Sequence, residues 1–171
     1  LSLVDVDVGF NQLNGPIPTG LNSLENLENF NGANNAFTGA VPDFSSLRKL
    51  TTMRLGENKL TGNLPSFSRH SNMKALDLSN NGLSGPIPSN FLETVNQEGS
   101  IFVDLSDNVL SGNVPGSLSH VKDMTIYLRD NRIGGIDSSL CSNEGWNEGD
   151  VGLFRCDGIL CPSGTYAING R

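Results

Sequence analysis

Apolar and polar residues alternate in short stretches that recur along the chain at a nearly constant interval. Each stretch places two apolar residues two positions apart, and this period-2 pattern predicts a short strand with one buried side. The inward pairs that we expect are Val6 and Val8, Met53 and Leu55, Leu76 and Leu78, Val103 and Leu105, and Ile126 and Leu128. In the second stretch Gly32 breaks this column. The chain is therefore expected to contain a series of short, similar strands.

An asparagine follows each of these strands and marks the repeat. Six copies occur with spacings of 24, 23, 23, 27 and 23 residues, at Asn11, Asn35, Asn58, Asn81, Asn108 and Asn131. A repeat in the twenties is typical of a stacked solenoid. A buried asparagine has both donors and an acceptor, so it can satisfy backbone groups of its own coil and of the next one. We therefore expect a structural ladder of stacked asparagines.

A second apolar column follows the asparagines and is succeeded by glycine and proline. The column consists of Leu13, Phe37, Leu60, Leu83, Leu110 and Ile133. A proline then ends each extended segment, from Pro18 to Pro115, and starts a short return segment. These segments are too short for long helices, so we expect 3-10 turns or single helical turns. The longest one is the exception, because Ser89 can cap a predicted α-helix near residues 90–98.

The whole phrase, for example MKALDLSNNGLSGPIP at residues 73–88, resembles the plant-type extracellular class of leucine-rich repeat, LxxLxLxxNxLxGxIP. The resemblance covers residues 1–136. It implies an α/β fold, a right-handed superhelix or solenoid with a parallel β-sheet on its concave face and short 3-10 or helical turns on the convex side. It also implies a second short sheet after the asparagines. Residues 1–136 would hold six repeats, incomplete at the N-terminus, and residues 137–171 a cysteine-containing C-terminal cap.

The final residues carry a second resemblance. Leu140-Cys141, EGWNEGDV at 144–151 and CDGILCPSGTY at 156–166 are similar to the C-terminal cap of secreted leucine-rich-repeat proteins of diatoms and related algae. Within this cap we expect Trp146 to belong to the core. Plant receptor ectodomains usually open with a paired-cysteine cap, which this sequence lacks, so we expect upstream repeats to be missing.

All three cysteines, Cys141, Cys156 and Cys161, lie in this cap. Clustered cysteines outside the repeats favour a disulfide in an oxidising compartment, and hence a secreted, extracellular or cell-surface protein. Cys141 can pair with either of the others, and the remaining thiol with another chain or beyond Arg171. A zinc site is not expected, because three ligands at spacings of 15 and 5 residues, without a nearby histidine, match no zinc pattern.

Charge and composition narrow the range of partners and activities. A net charge of −7 and a pI near 4.6 argue against nucleic acid and anionic membrane surfaces. No run of 18 apolar residues occurs, so direct membrane insertion of this segment is not expected. We expect no cofactor and no enzyme, because His70, predicted to be partly buried, and His120, predicted to be exposed, have no catalytic partner at suggestive spacing.

The outward positions of the strands form the candidate binding surface, because alternate residues of a strand point to opposite faces. A lane of small residues from Gly9 to Ser106 runs beside the central column and ends at Arg129. Acids and amides there can hydrogen-bond a ligand, and the aromatic residues can act as platforms. The candidate ligand-binding residues are Asp7, Asn31, Arg54, Asp77, Asp104, Tyr127, Phe102 and Arg129.

Each candidate also has an interpretation without a ligand, since polar residues on a solvated sheet face need none. Asp77, Asp104, Asp107 and Asp130 lie in adjacent coils and could gather a cation. Recurring strand aspartates exposed to water explain them better, and no metal is expected.

Two functions remain open at this point. The first is an extracellular recognition module that binds a protein, a peptide or a glycan through the concave face. The second is a structural component of an extracellular or cell-surface assembly, such as a cell wall, an adhesive or a filament. Its partners would then be other subunits of that assembly.

Overall fold

The computed structural model describes residues 2–96, 99–121 and 123–141, and these form about six turns that each contribute a strand to two sheets. The first sheet contains β1 Asp5–Asp7, β3 Asn29–Asn31, β5 Thr52–Arg54, β7 Ala75–Asp77, β9 Ile101–Asp104 and β11 Met124–Tyr127. The second contains β2 Asn14–Pro16, β4 Ala36–Gly39, β6 Lys59–Asn63, β8 Gly82–Pro86, β10 Val109–Val114 and β12 Arg132–Ile136. Two 3-10 helices, Thr19–Ser23 and Gly116–His120, and the short helix α1, Ser138–Cys141, complete the elements.

Both sheets are parallel, and their strands follow the order of the chain. Each pairing joins residues one coil apart, as between Met53 and Leu76. One register shift, between Gly112 and its neighbour Asn113, places Val114 opposite Ile136. The parallel-sheet solenoid with few helices, which the repeat predicted, is confirmed.

The core is a single column of apolar side chains enclosed by the two sheets and the return segments. Leu55 and Leu76 are fully buried, and burial of each such side chain stabilises the fold by roughly 2 kcal/mol. Val6 and Val8 are only partly buried, because the first coil of the stack has a neighbouring coil on one side only. At Gly32 a Cβ atom would meet Leu55 Cδ2 at 3.2 Å, so neighbouring side chains fill the break in the column.

A left-handed residue precedes every asparagine of the ladder, which the sequence pattern did not reveal. These residues have φ between 48 and 57° and are Phe10, Asn34, Glu57, Asn80, Asp107 and Asp130. Asparagine and aspartate tolerate this conformation best among residues with a side chain. Phe10 and Glu57 are less suited to it, so the turn geometry is imposed by the stacking of the coils rather than by local preference.

The α-helix predicted near residues 90–98 is wrong for the residues that the structure describes there, which end at residue 96. They form successive turns instead. Leu92 has a φ of 56°, which no right-handed helix accommodates, and its amide donates to the Ser66 carbonyl of the preceding coil at 2.8 Å. The Thr94 hydroxyl likewise donates to the Ser68 carbonyl at 2.8 Å. Docking onto the preceding coil therefore prevails over the helical pattern of the segment.

The last described element is α1, which packs the buried Leu140 against the end of the core. Asp137 precedes it and accepts hydrogen bonds from the Ser139 amide at 2.9 Å and the Ser139 hydroxyl at 2.7 Å. These bonds favour the carboxylate and lower the pKa of Asp137. Within the described part of the chain no helix is long and apolar enough to cross a membrane.

Candidate ligand-binding face

The asparagine ladder is fully engaged in holding the coils together. In Asn81, Oδ1 accepts from the Leu60 amide at 2.9 Å, and Nδ2 donates to the carbonyls of Leu55 at 3.0 Å, Leu78 at 3.2 Å and Ser79 at 3.0 Å. The same four bonds recur at Asn35, Asn58, Asn108 and Asn131. Two of the four bonds stay within the coil of the asparagine, as expected, and two connect it to the preceding coil rather than to the next one. Asn11 bonds only within its own coil, to Val8 and Gly9.

The central outward column of the first sheet is engaged only in part. Four of its members accept a hydrogen bond from the amide two residues further on, at 2.9 to 3.2 Å, and these are Asp7, Asn31, Asp77 and Asp104. Each bond closes a local turn at the end of a strand. At Asp77 and Asp104 a serine hydroxyl adds a second bond, at 2.7 and 2.6 Å. These side chains therefore have a structural role that the sequence reasoning missed.

Asp7 shows the electrostatic consequence of this arrangement. The Gly9 amide, followed by the side-chain amide of Asn31 at 3.0 Å and the charge of Arg54, lowers the pKa of Asp7. A carboxylate that accepts such bonds is stabilised in its charged form. The first end of the face therefore carries a fixed negative charge beside the Arg54 guanidinium.

Arg54 and Tyr127 are the two members of the central column outside this pattern. Both are exposed, and neither side chain makes a hydrogen bond within the described part of the chain. Tyr127 packs edge-on against Phe102, with ring centroids 5.4 Å apart and an interplanar angle of 84°. Phe102 and Tyr127 remain 39% and 46% exposed, so the pair presents an apolar surface to solvent. Arg129 lies two residues beyond and is exposed as well.

Six of the eight candidate residues fall into two groups on this face, and the turn-closing Asp77 and Asp104 belong to neither. Asp7, Asn31 and Arg54 line a shallow depression of about 180 Å³, together with residues of the neighbouring outward column that were not chosen as candidates, Asp5, Asn29 and Thr52. Strand alternation alone could have found these three. Phe102, Tyr127 and Arg129 form the second group. Strands about 4.8 Å apart place β5 and β11 about 14 Å from each other, which a short extended segment of about five residues can span.

The lane of small residues is not an open groove. Ala33 and Ser106 are buried. A Cβ atom on Gly56 would lie 2.7 Å from Asp77 Oδ1 and 2.9 Å from Ser79 Oγ, so neighbouring polar side chains fill the lane. A ligand on this face would therefore contact the flanking columns rather than the lane.

The two histidines occupy places different from those expected. His70 is fully buried rather than partly, at 2% exposure; its Nε2 lies 3.1 Å from the Phe44 carbonyl oxygen and its ring packs against Phe67. Burial lowers the pKa of His70. His120 is half-buried rather than exposed, with Nδ1 beside the Ser117 carbonyl. Among the described residues no group of three or more histidine, cysteine, aspartate or glutamate side chains is arranged to hold a metal.

The cap lies largely outside the described residues. Cys141, the last residue of α1, is disulfide-bonded. Cys156, Cys161 and Trp146 lie outside the described residues, so the choice of disulfide partner and the place of the tryptophan stay predictions. The resemblance of residues 144–166 to algal caps stays a prediction for the same reason.

Comparisons with known proteins agree with the repeat. Residues 72–93 match the family model described as Leucine Rich Repeat. A stretch of 49 residues is 45% identical to receptor-like protein kinase 7 of Arabidopsis thaliana, which covers 29% of this chain and 5% of that protein. The chain therefore spans only a small part of this curated relative.

Solved structures extend the likeness to most of the solenoid. The plant peptide hormone receptor RGFR1 in complex with RGF2 has a TM-score of 0.70 and 27% identity, covering 75% of this chain and 20% of that one. A plant ice-binding protein has a TM-score of 0.65 and 32% identity, covering 77% and 42%. Together these likenesses support a plant-type leucine-rich-repeat protein.

Proposed function

We propose that this chain is an extracellular recognition module that binds a protein or peptide through the outward face of the first sheet. One observation carries the proposal: the Arg54 guanidinium and the Phe102–Tyr127 ring pair are exposed and close no turn, on a face where the other central side chains do. Likeness to a peptide hormone receptor supports a peptide ligand.

The chemistry of the two groups suits an extended peptide. The exposed edge-on pair of Phe102 and Tyr127 offers an apolar platform for a side chain, and aromatic residues contribute most to such contacts. Arg54 offers a cationic fork for a carboxylate or a backbone carbonyl, and Asp7 an acceptor for a backbone amide. A glycan could use the same aromatic platform, and remains part of the proposal as a second ligand class.

The proposed location outside the cell rests on the cysteines. All three lie in the proposed cap at residues 137–171, and disulfides persist in oxidising compartments. A pairing of Cys141 with Cys156 or Cys161 would close the end of the core beside Leu140.

The experiment is a selection of binding peptides from a random displayed library on the immobilised chain. Peptides recovered from the wild type are tested against a double variant, Arg54→Ala with Tyr127→Ala. We expect affinity to fall at least about tenfold for most peptides, because loss of an aromatic or arginine contact at an interface commonly costs 1 kcal/mol or more.

The matched control carries Lys59→Ala with Arg132→Ala, two exposed cations of the second sheet. This variant should retain wild-type affinity. Peptides that bind the Arg54/Tyr127 variant as tightly as the wild type, or that are lost only in the control, would refute the assignment of the binding face.

Ice is a second candidate ligand, because one structural neighbour is a plant ice-binding protein. The outward side of the second sheet carries one hydroxyl side chain on each of four adjacent strands, at Thr38, Thr61, Ser84 and Ser111. Each lies two residues further along its strand than the partner of the one before, because Thr38 pairs with Lys59, Thr61 with Gly82 and Ser84 with Val109. The hydroxyls therefore form a regular diagonal row that could order water. Inhibition of ice recrystallisation that disappears in a Thr38→Lys, Thr61→Lys variant would support this function, and absence of inhibition by the wild type would exclude it.

The assembly alternative rests on the odd number of cysteines, because one thiol of Cys141, Cys156 and Cys161 is left for a partner chain. Disulfide-linked larger species on non-reducing gels would support this role. A monomer under the same conditions would count against it.

A further inference from the structure

The return segments of the first, second and third coils form a depression that the proposed function does not use. It encloses about 440 Å³ and is lined by Glu25, Ser45, Ser46, Arg48, Lys49 and Arg69. A second depression of about 240 Å³ shares Ser45 and Arg69 with it and has the buried His70 in its wall. We call the larger one the return-side depression.

Positive charge is concentrated in this depression on an otherwise acidic protein. Three of the eleven lysine and arginine residues line it, although the net charge of the chain is −7. The Arg48 and Arg69 guanidinium groups make no hydrogen bond or ion pair with any described residue. Lys49 is held in place, because its ammonium donates to Asn26 Oδ1 at 2.8 Å.

The stacking of coils explains why these cations meet. Arg48 and Lys49 end the return segment of the second coil, and Arg69 occupies in the third coil the place of Ser46 in the second, 23 residues earlier. Corresponding positions of successive coils lie side by side in a solenoid. Like charges brought together in this way repel one another, so a bound anion would relieve an existing repulsion.

We propose that the return-side depression binds a doubly charged oxyanion, which is either a phosphate monoester or a free inorganic phosphate or sulfate. Each guanidinium can present two parallel N–H donors to two oxygens, and the Lys49 ammonium has further donors for a third. The three cations Arg48, Lys49 and Arg69 carry more positive charge than the single carboxylate of Glu25 can balance. A doubly charged anion would offset the remainder. The Ser46 hydroxyl adds a donor at the same wall.

Two acidic residues limit what this site can hold. Glu25 lines the depression itself, and Asp43 lines the smaller one beside it. Asp43 is engaged with Ser45, whose amide donates to its Oδ1 at 2.9 Å and whose hydroxyl donates to its Oδ2 at 3.2 Å. A long polyanion that ran across both depressions would meet these carboxylates, so a compact anionic group is the better fit.

The test is a titration of the isotope-labelled chain at constant ionic strength, with inorganic phosphate, inorganic sulfate, glucose 6-phosphate and neutral glucose. Chemical-shift changes of the arginine Nε–H groups report on each site directly. We expect saturable shifts at Arg48 and Arg69 with the three anions and none with glucose. Tighter binding of glucose 6-phosphate would identify an ester as the ligand, and equal binding a free oxyanion.

The decisive variant is Arg48→Gln with Arg69→Gln, which should weaken binding at least about tenfold, because charge-assisted hydrogen bonds are the stronger ones. Since this variant lacks the two arginine reporters, its binding is followed through the backbone amides of Ser46 and Lys49, which line the same depression. The matched control, Arg54→Gln with Arg129→Gln, removes two arginines from the face of the first sheet and should bind anions as the wild type does. An equal loss of anion affinity in both variants would show that the anions act only by general charge screening, and it would overturn the proposal. Chemical shifts that do not saturate with anion concentration would overturn it as well. Neither result would bear on peptide binding by the first sheet.

Discussion

The asparagine ladder and the central outward column lie four residues apart in every repeat, yet the fold uses them differently. Each ladder asparagine from Asn35 onward makes four hydrogen bonds to the backbone. In the outward column the Asp77 and Asp104 side chains close their own turns, whereas the side chains of Arg54 and Tyr127 make no hydrogen bond among the described residues. Polar residues that recur in every coil hold the coils together or close turns. Residues that differ from the recurring type, such as Arg54 and Tyr127, are available to a partner.

The difference lies in what each position can reach. The ladder side chains point into the turn, where backbone groups would otherwise be buried without partners, and such groups are costly to leave unsatisfied. The outward column faces solvent, where water can replace any lost bond. Stability should therefore depend strongly on the ladder and weakly on the column, and binding should show the opposite dependence.

Asn81→Ala tests the ladder and should have the largest effect. It removes four hydrogen bonds and leaves the Leu60 amide without its partner, so we expect the free energy of unfolding to fall by about 3 kcal/mol. Urea denaturation followed by circular dichroism measures this. Asn72→Ala, at an exposed asparagine of the same coil, is the control and should change stability by less than about 0.5 kcal/mol. Similar values for the two variants would disprove the structural role of the ladder.

His70 sharpens the comparison, because it is buried like the ladder but only half satisfied. Nδ1 has no hydrogen-bond partner among the described residues, and the preceding coil holds Leu47 at the same place. When the imidazole is removed, the Phe44 carbonyl still accepts a hydrogen bond from the Leu47 amide, which lies at 2.8 Å. We therefore expect His70→Leu to stabilise the chain by about 1 kcal/mol at pH 7.5, measured by urea denaturation. A loss of stability would indicate that the imidazole is satisfied after all.

The same histidine should make stability depend on pH. Burial lowers its pKa below the ordinary 6.5, so the folded state holds the neutral ring and the unfolded state binds the proton more readily. The free energy of unfolding is therefore highest, as far as this group is concerned, above pH 6.5. It falls as the pH drops below that value, because the unfolded chain then takes up the proton first. The wild type should therefore lose more stability than His70→Leu between pH 7.5 and 5. Parallel pH profiles for both proteins would contradict the lowered pKa.

Asp77→Ala tests the engaged part of the outward column and should cost about 1 kcal/mol, because it removes the acceptor for the Ser79 amide and hydroxyl in a half-exposed turn. Asp77→Asn keeps an acceptor oxygen, as Asn31 does in its own turn. It should be nearly neutral. A comparable loss in Asp77→Asn would show that the charge matters rather than the hydrogen bond. Thermal unfolding of the three proteins measures both effects.

Arg54→Ala with Tyr127→Ala should have the smallest effect on stability. Both side chains are exposed and make no hydrogen bond within the described residues, and the loss is confined to the exposed ring contact of Tyr127 with Phe102, so a change of about 0.5 kcal/mol is expected. Urea denaturation measures it against the Asp77→Ala variant. A loss as large as that of Asp77→Ala would place these residues in the scaffold and remove the basis for a binding role.

Most of the scaffold could be predicted from the sequence, because the same short apolar and asparagine pattern occurs in six copies. A pattern that would be weak in one copy becomes specific when it recurs. Alternation located the inward column, including Leu55 and Leu76, and the spacing of the asparagines fixed the stacking. The left-handed turns at Phe10 and Glu57 could not be predicted, because neither residue type favours that conformation. The turns near Leu92 could not be predicted either, since they depend on hydrogen bonds to the preceding coil.

The candidate face was located from the sequence, but its residues were not separated by role. The turn-closing bonds of Asp77 and Asp104 become visible only when the positions of the following amides are known. The return-side cations, Arg48 and Arg69, lie 21 residues apart in sequence and carry no motif. Their proximity follows from the coil geometry alone.

The most direct test of the contrast between ladder and column is a side-chain NMR footprint of one selected peptide on the labelled chain. Arginine Nε–H and asparagine Nδ2 groups are observed in the same kind of experiment, so both sets report together. We predict that the Arg54 signal shifts and saturates as the peptide binds, while the signals of Asn58, Asn81 and Asn108 stay in place. A ladder that shifts while Arg54 remains unchanged would contradict the account.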